Sequence, residues 1–112
     1  MPDYILIVED DNEFNHMLTE LLRSNGYRSQ SAYSGTEALL YLRGQCGEQS
    51  TVNERPRAVI LDLMLPGMTG EELLHNMKEI DNNIPVIVAS AKDDVHTRVE
   101  LLRAGADDYI VK

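Results

Sequence analysis

A chain of 112 residues has room for one domain with one core. Its composition, 43% hydrophobic and 26% charged, is that of a globular chain rather than a disordered one. A formal net charge of −9 weighs against direct binding to nucleic acid or an anionic membrane, since both are polyanions. The single cysteine, Cys46, leaves no internal disulfide, no signal peptide is visible, and the apolar runs fall far short of a membrane span. A cytoplasmic protein is the expectation.

In chain order, Ile5–Val8 reads as a continuous apolar strand. From Glu13 to Asn25, Phe14, Met17, Leu18, Leu21 and Leu22 recur at helical spacing. Asn12, or Asp11 for an earlier start, is the expected N-cap, and Gly26 the stop. Arg28–Ala32 is a more polar strand, as an edge strand would be. Ser34-Gly35-Thr36 opens a helix carrying Ala38, Leu39 and Leu42, and residues 44–57 read as a long polar loop. Ala58–Leu61 is a second apolar strand, ended by Asp62. After turn residues Pro66 to Gly70, a helix carries Leu73, Leu74, Met77 and Ile80 and breaks at 81–83. Pro85–Ala89 is a further strand, ending at Ser90-Ala91. Val95, Val99, Leu101 and Leu102 mark a helix stopped by Gly105, and Tyr109–Val111 is the last strand. Alternating strands and helices, with continuously apolar strands, predict an α/β fold: a parallel sheet joined by helical crossovers.

In such a sheet, ligands bind beyond the carboxyl ends of the strands. Those ends carry Glu9, Asp10 and Asp11, then Asp62, Ser90 and Lys112. Each alone has an ordinary explanation: a solvated cap, a turn hydroxyl, an exposed lysine. Together they place three or more acids, a hydroxyl and an amine at one edge. Two like charges 4 Å apart repel by about 4 kcal/mol at an effective dielectric of about 20, so the cluster calls for a cation. A hard divalent ion with oxygen ligands, Mg²⁺, fits that demand. Mg²⁺ and Lys112 together would offset the charge of a phosphoryl group, Ser90 would donate to one of its oxygens, and an aspartate beside the ion would act as nucleophile.

Four segments carry a resemblance that spans the chain: Ile5-Leu6-Ile7-Val8-Glu9-Asp10-Asp11, Leu61 to Gly70, Ser90-Ala91-Lys92-Asp93-Asp94, and Gly105 to Lys112. Together they resemble the receiver domain of a two-component response regulator. The last two are most similar to receivers of the winged-helix transcription factors of the OmpR/PhoB subfamily. The resemblance implies a flavodoxin-like, doubly wound five-stranded sheet in the order 2-1-3-4-5, with helices on both faces. It implies one receiver domain over residues 1–112, with no output domain. Asp62 would accept a phosphoryl group from the phosphohistidine of a sensor histidine kinase. Asp10 would ligate Mg²⁺ directly, Glu9 mostly through a water, and the backbone carbonyl of Met64 would be a further ligand. Ser90 would bind a phosphoryl oxygen, Ala91 would leave space for the phosphate, and Lys112 would pair with the phosphoryl group or with Asp62. Tyr109 would be an aromatic switch turning inward as Ser90 moves; its ordinary alternative is a half-buried strand aromatic. Asp107 and Asp108 resemble residues that pair across a dimer of the fourth helix and fifth strand, with Arg98 as a basic group on that face. Such a domain has no separate substrate and catalyses only its own phosphorylation and dephosphorylation.

Glu9 stands where the family more often has aspartate, the 44–57 loop is longer than usual, and the chain stops at Lys112, before the fifth helix. The expectation is a truncated receiver, less stable than a longer chain, self-associating through its uncovered face and dimerising weakly on phosphorylation. Other chemistries fit less well. An aspartate-nucleophile phosphohydrolase needs a second acid where Met64 stands, and Glu9-Asp10-Asp11 would repel a flavin phosphate. A Ca²⁺ loop from Asp10 would meet Phe14 and Asn15 where an oxygen ligand and a glycine belong. His16, His75 and His96 show no metal spacing. The alternative that remains is a receiver fold serving as a non-switching interaction module.

Overall fold

The computed structural model describes residues 4–43, 56–63, 65, 68–90 and 95–111. Along them run β1 (Tyr4–Val8), α1 (Asn12–Ser24), β2 (Arg28–Ala32), α2 (Gly35–Leu42), β3 (Ala58–Asp62), α3 (Gly70–Ile80), β4 (Val86–Ser90), α4 (Val95–Arg103) and β5 (Asp108–Val111). The strands form one parallel sheet in the expected order, β2-β1-β3-β4-β5.

The order fixes where the helices lie. Crossovers between parallel strands are right-handed, so the direction of each step along the sheet sets the face that its helix covers. The steps through α2, α3 and α4 all run towards β5, which puts these three helices on one face. The step from β1 to β2 runs the other way and puts α1 on the opposite face. The core lies on the three-helix side: Leu6, Val8, Val59, Leu61, Val86 and Val88 pack there with Leu39, Leu42, Leu73, Leu74, Met77 and Leu101.

The opposite face is thinner. Ile5, Ala58, Ile60 and Ile87 are only half-buried, and Ile110 is exposed. The five-residue apolar stripe expected on α1 divides accordingly. Phe14, Leu18 and Leu22 are partly buried, whereas Met17 and Leu21 are 53% and 56% exposed. The physical reason is that α1 is the one helix on this face among the described residues, so nothing there covers its flank.

Helix ends follow local chemistry. Asp11, not Asn12, caps α1: its Oδ1 accepts from the backbone N–H groups of Glu13 (3.0 Å) and Phe14 (3.4 Å). A carboxylate satisfies orphan N–H groups and also favours the positive end of the helix dipole. Ser34 and Thr69 cap α2 and α3 by accepting from Glu37 N–H and Glu72 N–H. Gly26 and Gly105 end α1 and α4 with positive φ, +86° and +116°. At both, two backbone bonds close the last turn, Gly26→Arg23 with Tyr27→Leu22, and Gly105→Leu102 with Ala106→Leu101.

The strands run one residue further than the apolar pattern indicates: β3 includes Asp62 and β4 includes Ser90. Both side chains are therefore fixed by the sheet ladder rather than by a loop. Residues 44–55 of the expected long loop, Cys46 among them, lie outside the described residues.

Candidate functional site

The central strand β3 ends at Asp62, whose partner in β4 is Ala89; Ser90 follows and stands opposite Val111 of β5. On the other side of β3, Val8 closes the ladder of β1, opposite Leu61 of β3 and Ala32 of β2. Glu9 continues the strand for one more residue, its N–H donating to Ala32 O at 3.0 Å. That extension turns the Glu9 side chain inward, where it is 1% exposed; Asp62 is 5% exposed and Ser90 fully buried. Asp10 lies at the surface.

Of the acids at this edge, Asp11 is committed to capping α1, which leaves Glu9, Asp10 and Asp62. One carboxylate oxygen from each lies within 4.8 Å of the others. At that spacing each ionised pair repels by about 3 kcal/mol at an effective dielectric of about 20. A hard cation reverses the sign of that energy. The donor set is all oxygen, with no thiolate or imidazole, and its exposed member leaves room for retained waters; this chemistry fits Mg²⁺.

Arg98, Asp107, Asp108 and Tyr109 lie on α4, on β5 and in the turn between them. Tyr109, in β5, is already buried, with the Arg98 guanidinium carbon 5.3 Å from its ring centroid. Arg98 therefore engages its own chain. So does Asp107: its Oδ2 accepts from Val86 N–H at 2.8 Å and from Lys78 Nζ at 3.3 Å. The Val86 hydrogen bond first, then the lysine, hold the Asp107 carboxyl below the usual carboxylate range despite a cost of burial. Asp108 is exposed and accepts from the Tyr109 N–H at 2.7 Å. Lys112, Met64 and Ala91 lie outside the described residues.

One residue escaped the sequence reading. Asn15, 2% exposed, sits on the buried side of α1 and donates through Nδ2 to the Glu9 carbonyl oxygen at 3.1 Å. The signal was present: Asn15, Leu18 and Leu22 share the i, i+3, i+7 stripe, so a polar side chain occupies an inward position.

The family model for the response regulator receiver domain matches residues 5–112. The chain belongs to that family. Response regulator MprA of Mycobacterium sp. (strain KMS) is 38% identical over 112 residues, which are all of this chain and 45% of that protein. Transcriptional regulatory protein PrrA of Mycobacterium tuberculosis (strain ATCC 25618 / H37Rv) is 37% identical over 108 residues, 96% of this chain and 42% of that one. The receiver thus spans less than half the length of the curated relatives it matches. Among solved structures, the phosphorylated cyanobacterial phytochrome response regulator RcpA superposes with a TM-score of 0.86 at 29% identity, covering 100% of this chain and 81% of that one. The Mg²⁺–BeF complex of the Thermotoga maritima response regulator TrrA superposes with a TM-score of 0.77 at 29% identity, covering 98% and 86%. No helix among the described residues is long and apolar enough to cross a membrane.

Proposed function

We propose that this receiver accepts a phosphoryl group on Asp62 from the phosphohistidine of a sensor histidine kinase, in a reaction that depends on Mg²⁺. The observation that carries the proposal is the convergence of Glu9, Asp10 and Asp62 at the end of the central strand of a receiver fold. Glu9, Asp10 and Asp62 would hold the ion, with the Met64 carbonyl as a further ligand. When bound, Mg²⁺ supplies positive charge against the phosphoryl oxygens.

An oxygen of the Asp62 carboxylate attacks phosphorus, the phosphorus–nitrogen bond breaks, and the imidazole leaves with its electron pair and takes up a proton. The product is an acyl phosphate. Attack by water later returns the carboxylate and inorganic phosphate, so the domain turns over no separate substrate. Ser90 donates its hydroxyl to a phosphoryl oxygen, and Lys112 supplies a compact positive charge. The modification adds about −1.5 to −2 charge. Ser90 and Lys112 are drawn towards that charge, which biases Tyr109 and the face of α4 and β5. Val99, Leu102 and Val111 are exposed apolar residues on those two elements, which supports a partner surface there. A second copy would dock on that face, with Arg98 and Asp108 at its rim. Transcription would be the output, which the name of one relative, a transcriptional regulatory protein, supports.

Titration with MgCl2 tests the proposal. The receiver binds the ion, and Asp10→Asn and Asp62→Asn each weaken it by tenfold or more, on the order of what removing a ligand or its support costs. No Mg²⁺ binding by the folded chain would leave the alternative, a non-switching interaction module.

A further inference from the structure

We propose that Asn15 is a positioning residue for the divalent-cation site, acting through the backbone of Glu9. The inference rests on the phosphoacceptor reading above and adds to it a residue outside the acidic cluster.

Glu9 stands one residue past the last register pair of β1 with β2, Val8 and Ala32. Its N–H is still held by Ala32 O, but its carbonyl oxygen lies beyond that ladder and is held instead by Asn15 Nδ2 at 3.1 Å. A carbonyl can only accept, so the amide nitrogen of Asn15 must face Glu9 and its oxygen must face away. Ser31 of β2 meets that oxygen with its hydroxyl, which fixes the amide in this orientation. Both backbone groups of Glu9 are thereby tied to neighbouring elements. Two residues on, the Asp11 carboxylate is tied down by capping α1, and the Asn15 N–H donates to the Asp11 carbonyl at 2.9 Å. Asp10 stands between two anchored residues while its own side chain stays at the surface. The result is a short closed frame, Glu9 to Asn15, that presents two carboxylates to Asp62 from a backbone with little freedom.

Preorganisation of this kind matters because the three carboxylates repel one another before a cation arrives. A looser Glu9–Asp10 segment would relax apart, and binding would have to draw it back. Thr19 belongs to the same hydrogen-bond network: its hydroxyl donates chiefly to the Asn15 carbonyl oxygen at 2.9 Å, lies 3.5 Å from Asn15 Oδ1, a longer contact than that of Ser31, and touches neither Glu9 nor Asp10. It is therefore a graded comparison, with the weaker hold on the amide.

The experiment is calorimetric titration of MgCl2 into the full chain and into Asn15→Leu, Ser31→Ala and Thr19→Ala, with folding checked by circular dichroism and urea titration. Asn15→Leu keeps similar volume and removes the donor; the expected loss of Mg²⁺ affinity is about tenfold, as for other supporting partners of metal ligands. Ser31→Ala keeps Asn15 but frees its amide to turn, and gives a smaller loss in the same direction. Thr19→Ala removes a backbone hydrogen bond and only a long contact to the amide oxygen, so it lowers stability and costs less Mg²⁺ affinity than Ser31→Ala. Wild-type affinity in folded Asn15→Leu overturns the inference, as does an equal loss in Thr19→Ala. Should Asn15→Leu fail to fold, wild-type affinity in Ser31→Ala overturns it. Failure of the unaltered chain to bind Mg²⁺ is a different result, and counts against the phosphoacceptor reading itself.

Discussion

Gly70 is the first residue of α3, and a methyl group there would collide with the segment that carries Asp62. A Cβ built at Gly70 falls 2.5 Å from Leu63 Cδ2 and 2.8 Å from Leu63 Cα. The clash with the side chain can be relieved by a rotamer change, but the clash with the backbone cannot. Reaching an ordinary carbon–carbon separation of ~3.5 Å requires a backbone shift of about 0.7 Å. Overpacking of this kind costs about 1–3 kcal/mol. Alanine recovers part of that through its better helix propensity, up to about 1 kcal/mol and less at a first helical position. Gly70→Ala is therefore expected to destabilise the domain by about 1–2 kcal/mol, a fall of about 5–10 °C in Tm. Leu63 is bonded to Asp62, so the same shift displaces the carboxylate, and Mg²⁺ affinity falls with stability. Urea titration and MgCl2 titration read the two effects. Adding Leu63→Ala should show favourable coupling with Gly70→Ala but incomplete recovery, because the clash with the backbone of residue 63 survives. Stability and Mg²⁺ affinity equal to those of the unaltered chain would refute the close approach of α3 to β3.

The Asp107 carboxyl is ionised to lower pH in the folded protein than in the unfolded chain, so its stabilisation is complete above the unfolded value of about 4 and is lost as pH falls through the lower folded value. Urea titrations should show the unaltered chain more stable than Asp107→Asn near neutrality, with the gap closing in acid; a gap that widens in acid contradicts this. Arg98→Ala removes the guanidinium from the face of Tyr109, an interaction worth about 0.5–1 kcal/mol when partly exposed. Thermal melts should show that loss, and Arg98→Lys should recover some of it, whereas no change would mean that the packing of Tyr109 is independent of Arg98. Asp11→Ala removes the cap of α1 and should cost about 1 kcal/mol without abolishing Mg²⁺ binding; loss of the ion in a folded Asp11→Ala protein would make Asp11 a ligand rather than a cap.

Much of this molecule was legible in its residues alone. Continuous apolar strands and the glycines at 26 and 105 marked strand and helix limits because period and stop signals are local properties. The carboxyl-edge rule brought Glu9, Asp10, Asp62 and Ser90 together because parallel strands end in step. What the sequence did not reveal depends on packing between distant elements. Met17 and Leu21 fit the apolar period of α1, but exposure depends on what else lies on that face of the sheet. Asp107 was expected to pair across a dimer, but Lys78 of α3 and Val86 of β4 engage it within the chain. Asn15 entered only as a residue that spoils a Ca²⁺ loop, although its position on the inward stripe marked it. Asp11 and Asn12 were both good caps on paper, and only geometry chose between them.

The proposed switch turns on transfer of a phosphoryl group to Asp62. Intact mass after incubation with Mg²⁺ and acetyl phosphate, beside Asp62→Asn, tests it most directly. One phosphoryl group should be added to the unaltered chain and none to the mutant. No addition to the folded chain, or an equal addition to the mutant, would contradict it.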